Sequence, residues 1–231
     1  MKPSIFNWSG GKDSALAFYY AQKDSNIQIN QLLTSISQEH QRISMHGVRR
    51  SLLEAQISAL NIPSTILELP PETDMNQYDE LMKSALTPLV EQGNQYSIYG
   101  DIFLEDLRKY REDRLSELGI NGLFPLWKRN TTDLVKNFID LGFRTIVVSI
   151  DGSKLDQSFV GRELDIQFLN DLPSNVDPCG ENGEFHTFVF QGPIFEKRIQ
   201  FTRGKVVSKS YQLSKESDEQ VTYYFQDLEP N

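Results

Sequence analysis

Cysteine is nearly absent from this 231-residue chain, where Cys179 stands alone. No disulfide can close within the chain, no zinc site of four thiolates can form, and mechanisms that need two thiols from one chain are excluded. Histidine is scarce as well: His40, His46 and His186 are too few for a histidine-rich metal centre. Long apolar runs are missing. Nothing approaches the ~18-residue stretch that spans a bilayer, and the short apolar run at 5–8, inside MKPSIFNWSGGKDS, does not make a secretory core. Positive charge falls short of negative, with 23 Lys and Arg against 32 Asp and Glu, a net charge of −9. An acidic surface repels phosphate backbones, so nucleic acid is a disfavoured partner, although a local basic cleft could survive. These absences predict a soluble, cytoplasmic protein without a membrane partner. What is present, 39% hydrophobic and 24% charged residues, is enough for a core and excludes wholesale disorder. The length suits one large domain or two small lobes.

The first half alternates short apolar runs with amphipathic stretches. Strands are predicted at Ile5–Trp8, Ile27–Ser37, Ser64–Leu69 and Tyr96–Tyr99, and helices at Asp13–Gln22, Val48–Leu60, Asn76–Glu91 and Leu104–Leu118. A further helix and strand are expected at Asp133–Leu141 and Thr145–Ile150. Strands alternating with helices of this length imply a mostly parallel sheet covered on both faces. From about Gly152 glycine, proline and asparagine become frequent, and shorter β-like runs follow at Phe185–Phe190, Arg198–Phe201, Lys205–Leu213 and Gln220–Phe225. The expected fold is therefore α/β, a doubly wound parallel sheet over residues 1–127 with a smaller C-terminal α+β lobe over 128–231.

Between the first strand and first helix lies Ser9-Gly10-Gly11-Lys12-Asp13-Ser14. Ligands of open α/β sheets bind at the carboxyl ends of strands. Two glycines let backbone approach an anion, and the amides opening a helix face it with the positive end of the helix dipole. Hydroxyls at Ser9 and Ser14 can add hydrogen bonds, and Lys12 adds a mobile positive charge. The spacing fits neither the eight-residue P-loop nor the GxGxxG fingerprint. A glycine turn that merely starts a helix is the plain alternative, which the complete hexapeptide at this place in the chain outweighs. The hexapeptide resembles the SGGxDS loop of the PP-loop ATP pyrophosphatases, which share an adenine-nucleotide α-hydrolase fold and split ATP between its α- and β-phosphates. That resemblance implies a pyrophosphate cradle from Ser9 through Ser14, with Asp13 meeting Mg²⁺ or the helix-opening amides.

Two distal stretches narrow the comparison. Tyr99-Gly100-Asp101 ends a strand, and the helix after it carries Arg111 in the middle of a stripe of Leu104, Leu107, Leu115 and Leu118. A guanidinium there is expected either to be ion-paired beneath the lobe interface or to contact an anion, with Arg108 and Arg114 flanking the same side. Farther on, Asp177-Pro178-Cys179-Gly180-Glu181-Asn182-Gly183-Glu184-Phe185-His186-Thr187 packs two glutamates, two glycines and a histidine into one turn entering a strand. Paired carboxylates can bind Mg²⁺, orient ammonium or take a proton from it. Cys179 and His186 alone are too few ligands for zinc.

With Met45-His46-Gly47 and Pro125-Leu126-Trp127, these segments resemble the diphthine–ammonia ligase family, and the Gly-Glu-x-Gly-Glu-aromatic run at 180–185 is its most diagnostic feature. His186 stands where archaeal and eukaryotic members commonly carry Glu, which places the chain nearer the bacterial-type branch. The resemblance implies ATP-dependent amidation: adenylation of a substrate carboxylate, then attack by ammonia. It implies Lys12, Arg111, Glu181, Glu184 and His186 as catalytic, the loop with Gly100 and Asp101 as the nucleotide site, and Asp13 and Glu184 as Mg²⁺ ligands, while Ser35 and Ile36 are expected from their place at a strand end to border the adenine or ribose. Free ammonia is the expected nitrogen source, since a glutaminase domain does not fit beside two lobes in 231 residues. A homodimer through the C-terminal β-runs is an open expectation. The rival readings are a tRNA-modifying PP-loop ligase, which the charge disfavours, a relative acting on a small cobalamin-related carboxylate, and a nucleotide sensor without turnover.

Overall fold

A computed structural model describes residues 1–212 and 220–231. In chain order the elements are β1 (Lys2–Asn7), α1 (Lys12–Lys23), β2 (Ile27–Ser37), β3 (Arg42–Ile43), α2 (Arg50–Leu60), β4 (Ser64–Leu69), α3 (Met75–Glu91), β5 (Tyr96–Ile98), α4 (Glu105–Ser116) and β6 (Asn121–Leu123). There follow α5 (Thr131–Asp140), β7 (Arg144–Asp151), α6 (Ile166–Asp171), β8 (Phe185–Gln191), β9 (Phe201–Gln212) and β10 (Gln220–Pro230).

The first sheet has the parallel order β4-β2-β1-β5-β6, and β3 pairs antiparallel with the end of β2 that β1 leaves open. Side chains alternate across a strand, and here the alternation sorts the core into two layers. Phe6, Leu32 and Ile36 point to one face, where α1 and α2 supply Leu16, Phe18 and Leu53. Ile5 and Leu33 point to the other, against Leu86 and Leu89 of α3 and Leu115 of α4. The sheet is doubly wound, as the alternation of elements predicts. The second sheet runs β8-β7-β10-β9 and is wholly antiparallel. Its buried residues Val147, Phe188 and Val189 join the α1–α2 layer in one continuous core.

Several expectations shift. β1 starts at Lys2 and stops before Trp8, because backbone pairing with β2 and β5 carries the strand beyond its apolar run. Arg198–Phe201 is not a strand of its own: residues 198–200 lie outside the sheet, and Phe201 opens β9 opposite Pro230. Leu213, expected to end that hairpin strand, lies outside the described residues. β3, β6 and α6 carry too little periodic pattern to be read from sequence, and β3 and β6 exist through the neighbours they pair with. Among the described residues no helix is long and apolar enough to cross a membrane.

Candidate functional site

The hexapeptide forms the turn between β1 and α1, with Gly11 at the N-cap. Gly10 has φ +79°, and a Cβ there would lie 2.6 Å from Gln56 Oε1, so both the backbone angle and the space demand glycine. The loop is braced from inside: Ser9 N donates to Ser14 Oγ (3.2 Å) and Gly11 N to Ser9 Oγ (3.3 Å). It is also fastened to β8 of the second sheet. Val189 N donates to the Gly10 carbonyl (2.9 Å), and Lys12 N donates to Thr187 Oγ1 (3.0 Å).

Gln56 completes this seam. Its Nε2 donates to Gly10 O (3.0 Å) and Val189 O (2.6 Å), while its Oε1 accepts from Trp8 Nε1 (3.1 Å). The sequence did carry a signal for it, a polar residue centred on the apolar stripe of Leu52, Leu53, Ala59 and Leu60 in α2.

Lys12 is not the mobile cation that the sequence suggests. Its side chain is buried, with Nζ 2.7 Å from Asp13 Oδ2, bonded to the Cys179 carbonyl and 5.4 Å from the Phe185 ring centre. Burial disfavours its charge, but the carboxylates around it, Asp13 foremost, more than offset that and hold the ammonium above the ordinary lysine value.

The acidic turn separates its two glutamates. Glu184 is buried and accepts from Asn182 N (2.9 Å), Asn182 Nδ2 (3.0 Å) and Asp177 N (3.2 Å). Burial opposes its charge, yet these donors prevail and keep the carboxyl below its usual value. Glu184 thus holds the turn, and its side chain is not on the cavity wall. Glu181 faces the cavity and accepts from Ile102 N (2.8 Å); burial, and then the nearby Asp13 carboxylate, push it up to about 7.

His186 stacks on His46, ring centres 4.7 Å apart and planes 27° from parallel. His46 Nδ1 lies 3.1 Å from the Thr187 carbonyl, an acceptor only, so Nδ1 carries the proton and Nε2 is left as a lone pair. His186 Nε2 is buried without a partner. Burial depresses both rings, His46 to about 4 and His186 to about 3, and each is neutral at pH 7.

These groups surround a cavity of about 500 Å³ at the carboxyl edge of the parallel strands. From the loop, Ser9, Gly11, Lys12, Asp13 and Ser14 line it, and from the strand ends Ser35, Gly100 and Asp101. Gly10 does not, since its carbonyl is turned toward Gln56 and Val189. Nor does Ile36, whose side chain is fully buried in the core. Gly100 packs against the start of α1, where an added Cβ would meet the Asp13 carbonyl carbon and Ser14 N at 3.0 Å. Arg111 reaches the wall already paired, Nε to Asp101 Oδ2 at 2.7 Å, with its guanidinium 4.3 Å from the Tyr99 ring centre. Arg108 and Arg114 do not flank it in the cavity. Arg108 lies over Phe124 and Trp127, and Arg114 binds Glu117. Tyr78, Tyr99, His46 and Thr187 are wall residues that sequence reasoning did not single out for the site. Of the two carboxylates expected to hold Mg²⁺, only Asp13 is on the wall, and no group of three or more His, Cys, Asp or Glu in metal-binding array occurs among the described residues.

Comparison with known proteins finds similarity along most of the chain. Residues 1–122 match the family model described as the diphthamide synthase N-terminal domain, and residues 130–218 match the diphthamide synthase C-terminal domain. A Bos taurus protein named diphthine–ammonia ligase is 32% identical over 113 residues, 46% of this chain and 42% of the relative. The Homo sapiens protein of that name is 31% identical over the same shares. Its Schizosaccharomyces pombe namesake is 29% identical over 103 residues, 43% of this chain and 17% of the relative. The chain thus spans less than half the length of these relatives.

Proposed function

The chain belongs to the diphthamide synthase family, whose relatives here are named diphthine–ammonia ligases, and on that premise we propose that it is an ATP-dependent ligase forming an amide from a carboxylate and ammonia. One observation carries the reading: the SGGKDS loop of the first sheet and the Glu181–His186 turn of the second line one cavity. In this reading residues 1–127 bind the nucleotide and 128–231 complete the acceptor side.

ATP enters with its β- and γ-phosphates against the loop, its base toward Ser35 at the end of β2. A carboxylate oxygen attacks the α-phosphorus, the bond to the bridging oxygen breaks, and pyrophosphate leaves an acyl-adenylate. The buried Lys12 ammonium, held in place by Asp13 and the Cys179 carbonyl, stabilises the charge on the leaving pyrophosphate without having to be ordered first. Ammonia then attacks the acyl carbon, AMP departs, and a proton from the new nitrogen passes to Glu181, whose raised value suits a group that takes up a proton near neutrality. The neutral His46 accepts a hydrogen bond from ammonia through Nε2, with the ring of His186 stacked against it. Asp13, with phosphate oxygens and water, fits one Mg²⁺, which when bound supplies further neutralisation of phosphate charge.

The test is pyrophosphate release from ATP with ammonium and a panel of carboxylates. The expected result is carboxylate-dependent release that Lys12→Ala abolishes. Tight ATP binding with no pyrophosphate from any carboxylate overturns the reading.

A further inference from the structure

A second cavity, of about 620 Å³, adjoins the first. The two share Ile43, Ser44 and Met45, which form the wall between them. On one side of the new cavity stands a single face of the β9–β10 hairpin. Val207 pairs with Phe225 and Lys209 with Tyr223, and the alternate residue Tyr211 continues that face, its ring 5.8 Å from that of Tyr223. On the other side stand Arg42 and the turn at 44–47. Arg42 bonds both the Gly47 carbonyl (2.6 Å) and Asp227 of β10 (2.8 Å), which fastens the hairpin to the first sheet.

The dividing turn is built to stay where it is. Met45 has φ +63°, rare for a residue with a side chain. Its carbonyl accepts from Ser149 of β7 (2.9 Å), and the next residue, His46, is held by the Thr187 carbonyl of β8. Two strands of the second sheet thus bond the turn directly, and β10 holds it through Arg42.

The lining is unusual for surface. Seven large apolar side chains are exposed among the described residues, and three of them, Met45, Val207 and Tyr211, border this cavity. Exposed apolar area gathered in one concavity marks a binding site. If ATP occupies the first cavity, an acceptor can offer its carboxylate there only with the remainder of its body outside. The other adjoining pocket, by Tyr78, Tyr99 and Arg111, holds about 70 Å³, too little for more than small groups.

We propose that the second cavity is the acceptor subsite and takes a carboxylate with an apolar or aromatic body, which lies on Val207, Tyr211, Tyr223 and Phe225 while the carboxylate reaches past Met45 toward the nucleotide. This rests on the ligase reading above for the word acceptor, and on the cavity alone for the class of ligand.

The probe is para-fluorophenylpropanoate at millimolar concentration with the full chain and ATP, followed by fluorine relaxation. Binding is expected, weakened about tenfold or more in Val207→Asp, where an anion repels the carboxylate and wets the apolar wall. Tyr211→Ala should weaken it less, and ATP affinity should be unchanged in both. Both positions are exposed, so folding is retained. Absence of probe binding overturns the proposal, as does binding that survives Val207→Asp. So does a dimer that Val207→Asp dissociates while the probe fails to bind, which would assign the face to a second copy of the chain. Probe binding without pyrophosphate release would instead sink the ligase reading and leave the subsite standing.

Discussion

The backbone amide of Lys12 donates to the Thr187 hydroxyl at 3.0 Å, so one of the amides that opens α1 is bound to the second sheet. The loop's shape therefore depends on β8, 175 residues away in sequence. Replacing Thr187 by Val removes the acceptor and leaves a buried N–H unpaired, at a cost of about 1–3 kcal/mol. Urea denaturation should show that loss, calorimetry should show weaker ATP binding, and Thr187→Ser should restore both. Unchanged ATP affinity in Thr187→Val would mean that the seam does not shape the loop.

Gln56 satisfies three groups at once, from Trp8, Gly10 and Val189. Gln56→Leu keeps the volume but strands them, so a stability loss of several times ~1 kcal/mol is expected in thermal or chemical unfolding. A variant as stable as the parent would show that water replaces the amide.

Lys12→Met keeps the buried aliphatic stem and removes the charge. Pyrophosphate release should fall about a hundredfold or more, in line with the loss of one preorganised charge-stabilising group. A small effect on rate with a large effect on ATP affinity would make Lys12 a binding residue only.

His46 and His186 are neutral in the fold down to about 4 and about 3, whereas unfolded histidine takes up a proton near 6.5. Below 6.5 these two rings bind more protons in the unfolded chain than in the folded one, whereas Glu181, raised to about 7 in the fold, acts in the opposite sense. The contribution of the two rings to stability should therefore fall as pH drops from 6.5 toward 4, each ring accounting for up to ~1.4 kcal/mol per pH unit. Denaturation curves across that window should flatten in His46→Gln and His186→Gln. Equal slopes in parent and variants would refute neutral burial of the pair.

Glu181 is predicted to take a proton only when ionised, and its carboxyl titrates at about 7. At constant free ammonia, amide formation should rise as pH climbs through 7 and then level off. Glu181→Gln should remove the inflection and lower the rate about a hundredfold. An inflection that persists in the glutamine variant assigns it to another group.

Much of the first lobe was legible because its signals are local. β2 and β4 match their apolar runs to the residue, and α3 begins within one residue of expectation, fixed by a capping box between Asp74 and Gln77. The SGGKDS loop was legible because its glycines and hydroxyls sit where a strand meets a helix. Glu184 shows the limit. Sequence treats it like Glu181, since both are glutamates in one turn; the positive φ of Gly180 and Gly183 turns one carboxylate into the loop's own amides and the other toward the cavity.

Local chemistry, then, was decided by the sequence alone: an alternating α/β order, a loop suited to phosphate, an acidic turn, and too few cysteines for a disulfide, a two-thiol mechanism or a four-thiolate zinc site. Tertiary structure decided which of those groups share a space. Lys12 changed from a mobile charge to a buried one because Asp13 and the Cys179 carbonyl enclose it. His46 and His186 are 140 residues apart in the chain and became a stacked, neutral pair because β8 lies against the turn that follows β3. Burial and proximity set charge and tautomer, and neither is a property of a residue read by itself.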